Sequence, residues 1–136
     1  MRPPPAVVLD EAGEAAGMAA MVADLLRANL ADSTTRARVA ARARGSVVLL
    51  ADDRDLGVTV TFGEQQVVVA AAPTAGAPVL AGAWLAMATV CAGSRSPLCA
   101  LARRELRVVP RRPVRALVAA GYVLKAPRAV TRADRR

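Results

Sequence analysis

The stretch that decides the fold is SVVLLADDRDLGVTVTFGEQQVVVAA, residues 46–71. Its middle segment alternates strictly. Leu56, Val58, Val60 and Phe62 fall on one side of an extended chain, and small or polar residues fall on the other. A period of two is typical of a strand with one buried face. The apolar segments before and after it are short enough to be strands as well. We therefore expect three antiparallel strands that bury one side of a sheet.

Polar segments separate these three strands. DDRD, residues 52–55, has the composition of a hairpin turn, and Gly63-Glu64 fits a tight turn with glycine first. Two further short apolar segments, VLAG and ELRVV, are candidate strands. The sequence thus predicts an α/β (α+β) protein with a mostly antiparallel five-stranded sheet covered by helices. The strands of the meander are expected near 46–51, 56–62 and 66–71.

Helical periodicity flanks the strand region on both sides. From about Gly13 to Leu30, apolar residues recur at spacings of three and four and form one stripe. Asp32 or Ser33 can cap a second short helix that ends before Gly45. A later helix begins at Trp84, and Ser96-Pro97 are typical of the start of another. In the final helix we expect one stripe, formed by Val114, Leu117, Val118, Gly121 and Tyr122.

The composition excludes several kinds of active site. The chain of 136 residues contains no histidine, so Ser-His and Cys-His catalysis and histidine metal sites are excluded. Cys91 and Cys99 do not have the spacing of a zinc finger or a redox motif, and we expect free thiols. We nominate no catalytic residue, no metal ligand and no cofactor. We expect a non-enzymatic protein.

Charge divides the chain unevenly. The formal net charge is +8, and residues 103–136 hold ten arginines and Lys125 against two acids, Glu105 and Asp134. We expect a flexible Pro-rich lead at 1–10, one domain at 11–125 and a disordered basic tail at 126–136. The beginning lacks the apolar run of a secretory signal, and the uncharged middle is interrupted by prolines and glycines. These features favour a cytoplasmic location.

The order of these elements resembles the sterol carrier protein two family of small lipid-transfer domains. The resemblance covers roughly residues 14–124. It rests on an ordered set of short motifs that each match weakly alone. They are a V-T-V-T-F strand at Val58 to Phe62, a helix led by Trp84, the joint AGSRSPLCAL at 92–101, and a basic pair before LRV at 106–108. The resemblance implies helices over one face of a mostly antiparallel sheet. It also implies an apolar ligand, such as a fatty acyl chain or sterol, held between sheet and helices.

From these faces we expect a ligand pocket lined by apolar side chains. The candidate ligand-binding residues are Leu26, Phe62, Trp84, Met87, Leu98, Leu101, Leu117 and Tyr122. A core of alanine and valine, poor in aromatic rings, can leave space for an apolar guest, but it can equally mark close helix–sheet packing. Composition does not separate these two interpretations.

The basic end is expected to contact an anionic surface. The candidate residues are Arg111, Arg112, Arg115, Arg128 and Arg132. If the protein is a carrier, the expected partner is an anionic membrane surface. If it is a ligand-free interaction module or subunit, which could include a homo-oligomer, the partner is an acidic protein. Nucleic acid is a weaker alternative, because Tyr122 is the only aromatic residue in the last quarter of the chain.

Overall fold

The computed structural model describes residues 4–91, 101–109 and 115–124. Within these ranges the chain forms a six-stranded sheet with helices. The strands are β1 (Ala6–Asp10), β2 (Gly45–Ala51), β3 (Leu56–Phe62), β4 (Gln66–Ala70), β5 (Val79–Gly82) and β6 (Leu106–Val109). The helices are α1 (Ala16–Asp32), α2 (Thr34–Arg42), α3 (Trp84–Cys91) and α4 (Arg115–Val123).

The expected meander is present. β2, β3 and β4 pair antiparallel, and Val60 faces Val47 on one side and Val69 on the other. All three side chains are fully buried. The alternation in 56–62 is therefore confirmed as one buried face. Along the opposite face, Thr59 is buried beneath the segment after β4, where its hydroxyl donates to the carbonyl of Ala72 at 2.7 Å.

The sheet is mixed, which corrects the expectation of five mostly antiparallel strands. Its order is β1-β4-β3-β2-β5-β6. β1 pairs parallel to β4, and β2 pairs parallel to β5, because long connections return the chain to the same end of the sheet. The additional strand is β1, so residues 6–10 are not part of a flexible lead. The short fourth and last strands are confirmed as β5 and β6.

Helix α1 covers the side of the sheet that contains β1 and β4. Four residues of its apolar stripe, Met18, Val22, Leu26 and Leu30, have 5% exposure or less. The other two, Met21 and Leu25, pack against the core and remain partly exposed. The buried amide of Asn29 donates to the carbonyl of Val123 at 2.8 Å and ties α1 to the end of α4. The expected docking of this helix on the apolar face of the sheet is therefore confirmed.

Ser33 separates α1 from α2 and acts as the N-cap of α2. Its hydroxyl accepts the backbone N–H of Arg36 at 3.2 Å, which satisfies one of the free donors at the helix start. At the other end, the guanidinium of Arg44 donates to the carbonyls of Ala41 and Ala43. The chain then enters β2 through Gly45, whose φ of 106° suits glycine.

The inner face of α4 differs from the expected stripe. The buried residues are small ones, Ala116, Ala119 and Ala120, together with Val123. Val118 is 68% exposed and Tyr122 is 43% exposed. The helix therefore turns its larger residues outward. Alanine in the contact allows the helix to approach β2 and β3 closely, and an assignment based on large apolar residues chose the wrong face.

Several expectations lie outside the described residues. These are the cap at Ser96, Leu98, Cys99 and the tail at 126–136. Within the described ranges, no helix has both the length and the apolar character that crossing a bilayer requires.

Candidate functional site

The contact between α1 and the sheet is closely packed. Leu26, Val22, Val60 and Val69 have 1% exposure or less, and Phe62 has 2%. Leu26 and Phe62 are therefore part of a closely packed core, which we call the filled core.

On the β5–β6 side of the sheet, partly exposed apolar side chains border the core. Leu80 lies on the core face, because its β2 partner Leu49 is in the core cluster. Leu80, Trp84 and Leu101 pack against the core but remain partly exposed, and Met87 is 5% exposed. We call these four residues the lateral apolar site. Its side chains come from β5, from α3 and from the segment before β6.

The β2–β3 turn holds the start of α3 beside this site. The Asp53 carboxylate accepts the backbone N–H of Trp84 at 2.9 Å and so caps α3. The guanidinium of Arg54 lies 5.5 Å from the centre of the Trp84 ring, within the range of a cation–π contact. Asp52 pairs with Arg107 of β6 at 2.8 Å. The three polar residues of one turn thus connect β2, α3 and β6.

A cleft of about 370 Å³ opens between these elements. The lining residues are Asp52, Ala81, Gly82, Ala83, Ala86, Arg104, Glu105 and Arg107. Arg104 has a φ of 60°, an uncommon conformation for a residue with a side chain. Two carboxylates and two guanidinium groups balance the charge of the lining, so it does not select an anion or a cation. The small residues of β5 and α3 form its floor.

The structure divides the predicted ligand-binding residues into three groups. Trp84, Met87 and Leu101 belong to the lateral apolar site, whereas Leu26 and Phe62 belong to the filled core. Tyr122 lies on the outer side of α4 at 43% exposure, where the guanidinium of Arg36 is 6.0 Å from its ring centre. Leu98 lies outside the described residues. Leu117 is in α4, but its side chain is not among those described.

The predicted contacts of the basic end are not described by the structure. Arg111, Arg112, Arg128 and Arg132 lie outside the described ranges, and Arg115 begins α4 with a side chain that is not described. The residues that sequence reasoning missed are Asp53 and Arg54. Their turn was correctly identified as polar. The contact of this turn with Trp84, however, joins positions far apart in the chain, so no pattern in the local sequence indicates it.

Several solved structures have a fold similar to that of this chain. The chain is similar to "Crystal structure of sterol carrier protein 2", with 19% identity, a TM-score of 0.55, and coverage of 77% of this chain and 91% of that one. It is also similar to "UbiJ-SCP2 Ubiquinone synthesis protein", with 17% identity, a TM-score of 0.54, and coverage of 81% and 88%. A solution structure of a conserved hypothetical protein from Thermus thermophilus, described as possibly a sterol carrier protein, matches with 15% identity, a TM-score of 0.48 and coverage of 90% and 97%.

Neither the protein-family models nor the curated proteins include a match to this chain. The structural similarity shows that the domain is sterol carrier protein 2-like in fold. The resemblance inferred from the sequence motifs is confirmed at that level.

Proposed function

We propose that this protein is a non-enzymatic cytoplasmic carrier that holds a hydrophobic small molecule, such as a fatty acyl chain or another lipid, at the lateral apolar site. The fold supports a carrier, because one structural neighbour bears the name sterol carrier protein 2. That similarity concerns the fold alone. The position of the site rests on the side chains of this chain.

The observation that carries the proposal is a difference in exposure between parts of one core. Val22, Leu26, Val60 and Val69 have 1% exposure or less. Leu80, Trp84 and Leu101 remain partly exposed while packing against the same core. An apolar ligand gains about 25 cal/mol for each Å² of apolar surface that it removes from water. The lateral apolar site offers such surface, and the filled core does not.

The test is native mass spectrometry of protein purified without detergent, followed by a titration with a long-chain fatty acid. Trp84 is the only tryptophan, so the intrinsic emission reports directly on this site. We expect a bound lipid in the native spectra and a saturable change of Trp84 emission. Leu101→Asp should abolish both, because a carboxylate would then face the acyl chain.

Leu85→Asp is the matched control, because Leu85 lies in α3 beside Trp84 but is 75% exposed. It should bind the fatty acid like the wild type. If the wild type carries no lipid and its Trp84 emission is unchanged by the fatty acid, the carrier proposal is rejected. The interaction-module interpretation then stands.

A further inference from the structure

Helix α2 is strongly basic, and the segment of sequence around it contains no acidic residue. The sequence between Asp32 and Asp52 contains four arginines, Arg36, Arg38, Arg42 and Arg44, and no acid. Arg38 and Arg42 are four positions apart, so they share one side of the helix, and both are exposed. Within the described part of the chain, the ion pairs are Arg27–Asp24 and Arg107–Asp52, and neither involves α2.

Next to α2, helix α4 presents an exposed apolar face. α2 packs against α4, and Val118 and Tyr122 share the outer side of α4 at a spacing of four. The two helices are joined by Arg36, whose guanidinium lies over the Tyr122 ring. One guanidinium nitrogen of Arg36 is buried and lacks a hydrogen-bond partner, so this arginine is committed to the contact between the helices. Exposed arginines and exposed apolar side chains therefore occur on two helices in contact.

We propose that the outer faces of α2 and α4 form a docking surface for an anionic lipid bilayer. We call it the α2–α4 surface and define it by Arg38, Arg42, Val118 and Tyr122. Arginines attract anionic headgroups, while an aliphatic side chain and a tyrosine suit the boundary between headgroups and acyl chains. This proposal goes beyond the carrier function, since docking does not require a cargo.

The combination of positive charge and exposed apolar side chains favours the bilayer as the occupant. The chain leaves α4 at Val123, next to Tyr122, and the following segment 125–136 contains Lys125 and four arginines against one acid. The sequence that follows α4 is thus also basic. A duplex nucleic acid would use the arginines, but it would leave Val118 without a role, because phosphates offer no apolar contact.

The experiment is co-sedimentation of the full-length chain with vesicles of phosphatidylcholine alone and with vesicles that also contain phosphatidylglycerol. We expect binding only to the anionic vesicles and a loss of binding at high salt, which screens exposed charges. Arg38→Gln combined with Arg42→Gln should weaken the binding about 30-fold, since each arginine near an anionic surface contributes on the order of a five-fold gain in affinity. Val118→Asp should weaken it further.

The matched control combines Arg27→Gln with Arg103→Gln, two exposed arginines outside α2 and α4. It removes the same charge and should bind the anionic vesicles like the wild type. Equal loss in both double variants would show general charge attraction and overturn the proposal. Binding to duplex DNA but not to vesicles would overturn it in favour of a nucleic-acid surface.

The fatty-acid titration separates this proposal from the carrier function. The Arg38→Gln/Arg42→Gln variant should keep the Trp84 emission response of the wild type while losing vesicle binding. A wild type that binds vesicles but no fatty acid rejects the carrier function alone. A wild type that binds the fatty acid but no anionic vesicles rejects the docking surface alone.

Discussion

The carboxylate of Asp53 caps helix α3 by accepting the backbone N–H of Trp84 at 2.9 Å. Asp53 belongs to the β2–β3 turn, and Trp84 is the first residue of α3. Caps usually come from the residue just before a helix, but here the cap comes from another part of the sheet. The position of α3, and with it one wall of the lateral apolar site, therefore depends on a turn that is distant in sequence.

Removing this cap should weaken α3 specifically. Asp53→Ala is expected to lower the free energy of unfolding by about 1 kcal/mol, the usual cost of losing a capping oxygen. It should also change the Trp84 emission, because the indole loses its fixed place beneath Arg54. Asp53→Asn retains a capping oxygen and is the control. Equal stabilities of the alanine variant and the wild type in urea unfolding would contradict the assigned role of this contact.

The buried amide of Asn29 predicts a second effect on stability. Asn29→Ala leaves the buried carbonyl of Val123 without this donor, at a cost of about 2 kcal/mol. Asp32→Ala, an exposed change in the same helix, should stay within about 0.5 kcal/mol of the wild type. Chemical denaturation of both variants measures the difference in free energy of unfolding. An Asn29→Ala variant as stable as the control would show that the hydrogen bond from Asn29 to Val123 does not stabilise the fold.

The filled core near α1 can be distinguished from a ligand pocket by truncation. Leu26→Ala should cost about 3 kcal/mol, because it opens a cavity among side chains that have no accessible surface. Leu85→Ala removes the same atoms from an exposed position and should change stability by less than about 0.5 kcal/mol. A loss of less than about 1 kcal/mol in the free energy of unfolding of Leu26→Ala would indicate space around this side chain. Leu26 would then again be a candidate ligand-binding residue.

Two glycine-to-alanine changes should have opposite effects on the stability of the fold. A Cβ at Gly82 would lie 2.5 Å from the Leu106 side chain and 2.6 Å from the Glu105 carbonyl, so Gly82→Ala should destabilise the pairing of β5 and β6 by about 1 to 3 kcal/mol. At Gly17 in α1 a Cβ meets nothing within 4 Å, and Gly17→Ala should stabilise the helix by about 0.5 to 1 kcal/mol. Thermal unfolding of the pair checks both signs. A neutral Gly82→Ala would show that β6 can move away from β5.

The elements that could be predicted from the sequence are those with a strong local period. The alternation from Leu56 to Phe62 and the stripe of α1 each appear in one continuous segment, and both are confirmed by burial. β1 was missed because its five residues follow prolines and show no clear alternation. The strand that pairs with β1 begins at Gln66, after two helices and two other strands. Residues close to β1 in the sequence therefore do not indicate this pairing.

The candidate site was harder to predict for a different reason. Trp84, Met87 and Leu101 pack against the core as expected, because large apolar residues on short helices usually point toward a core. The same argument failed for Tyr122, since α4 uses Ala116, Ala119 and Ala120 for its contact with the sheet. Side-chain size indicates burial only when the space between helix and sheet is known, and the sequence does not contain that distance.

The parallel pairing of β1 with β4 has a consequence for the order of folding. On the ribosome β1 is synthesised well before β4, but it has no strand partner until the intervening helices and strands have been made. Pairing β1 with β4 closes the long loop between them, and the entropy cost of this closure precedes the stabilisation by the new hydrogen bonds. We therefore expect β1 to join a meander of β2, β3 and β4 that has already formed. Pulse-labelling hydrogen exchange during refolding should show protection of the β1 amides after those of β2 and β3. The nascent chain therefore carries β1 without a strand partner throughout the synthesis of α1, α2, β2 and β3.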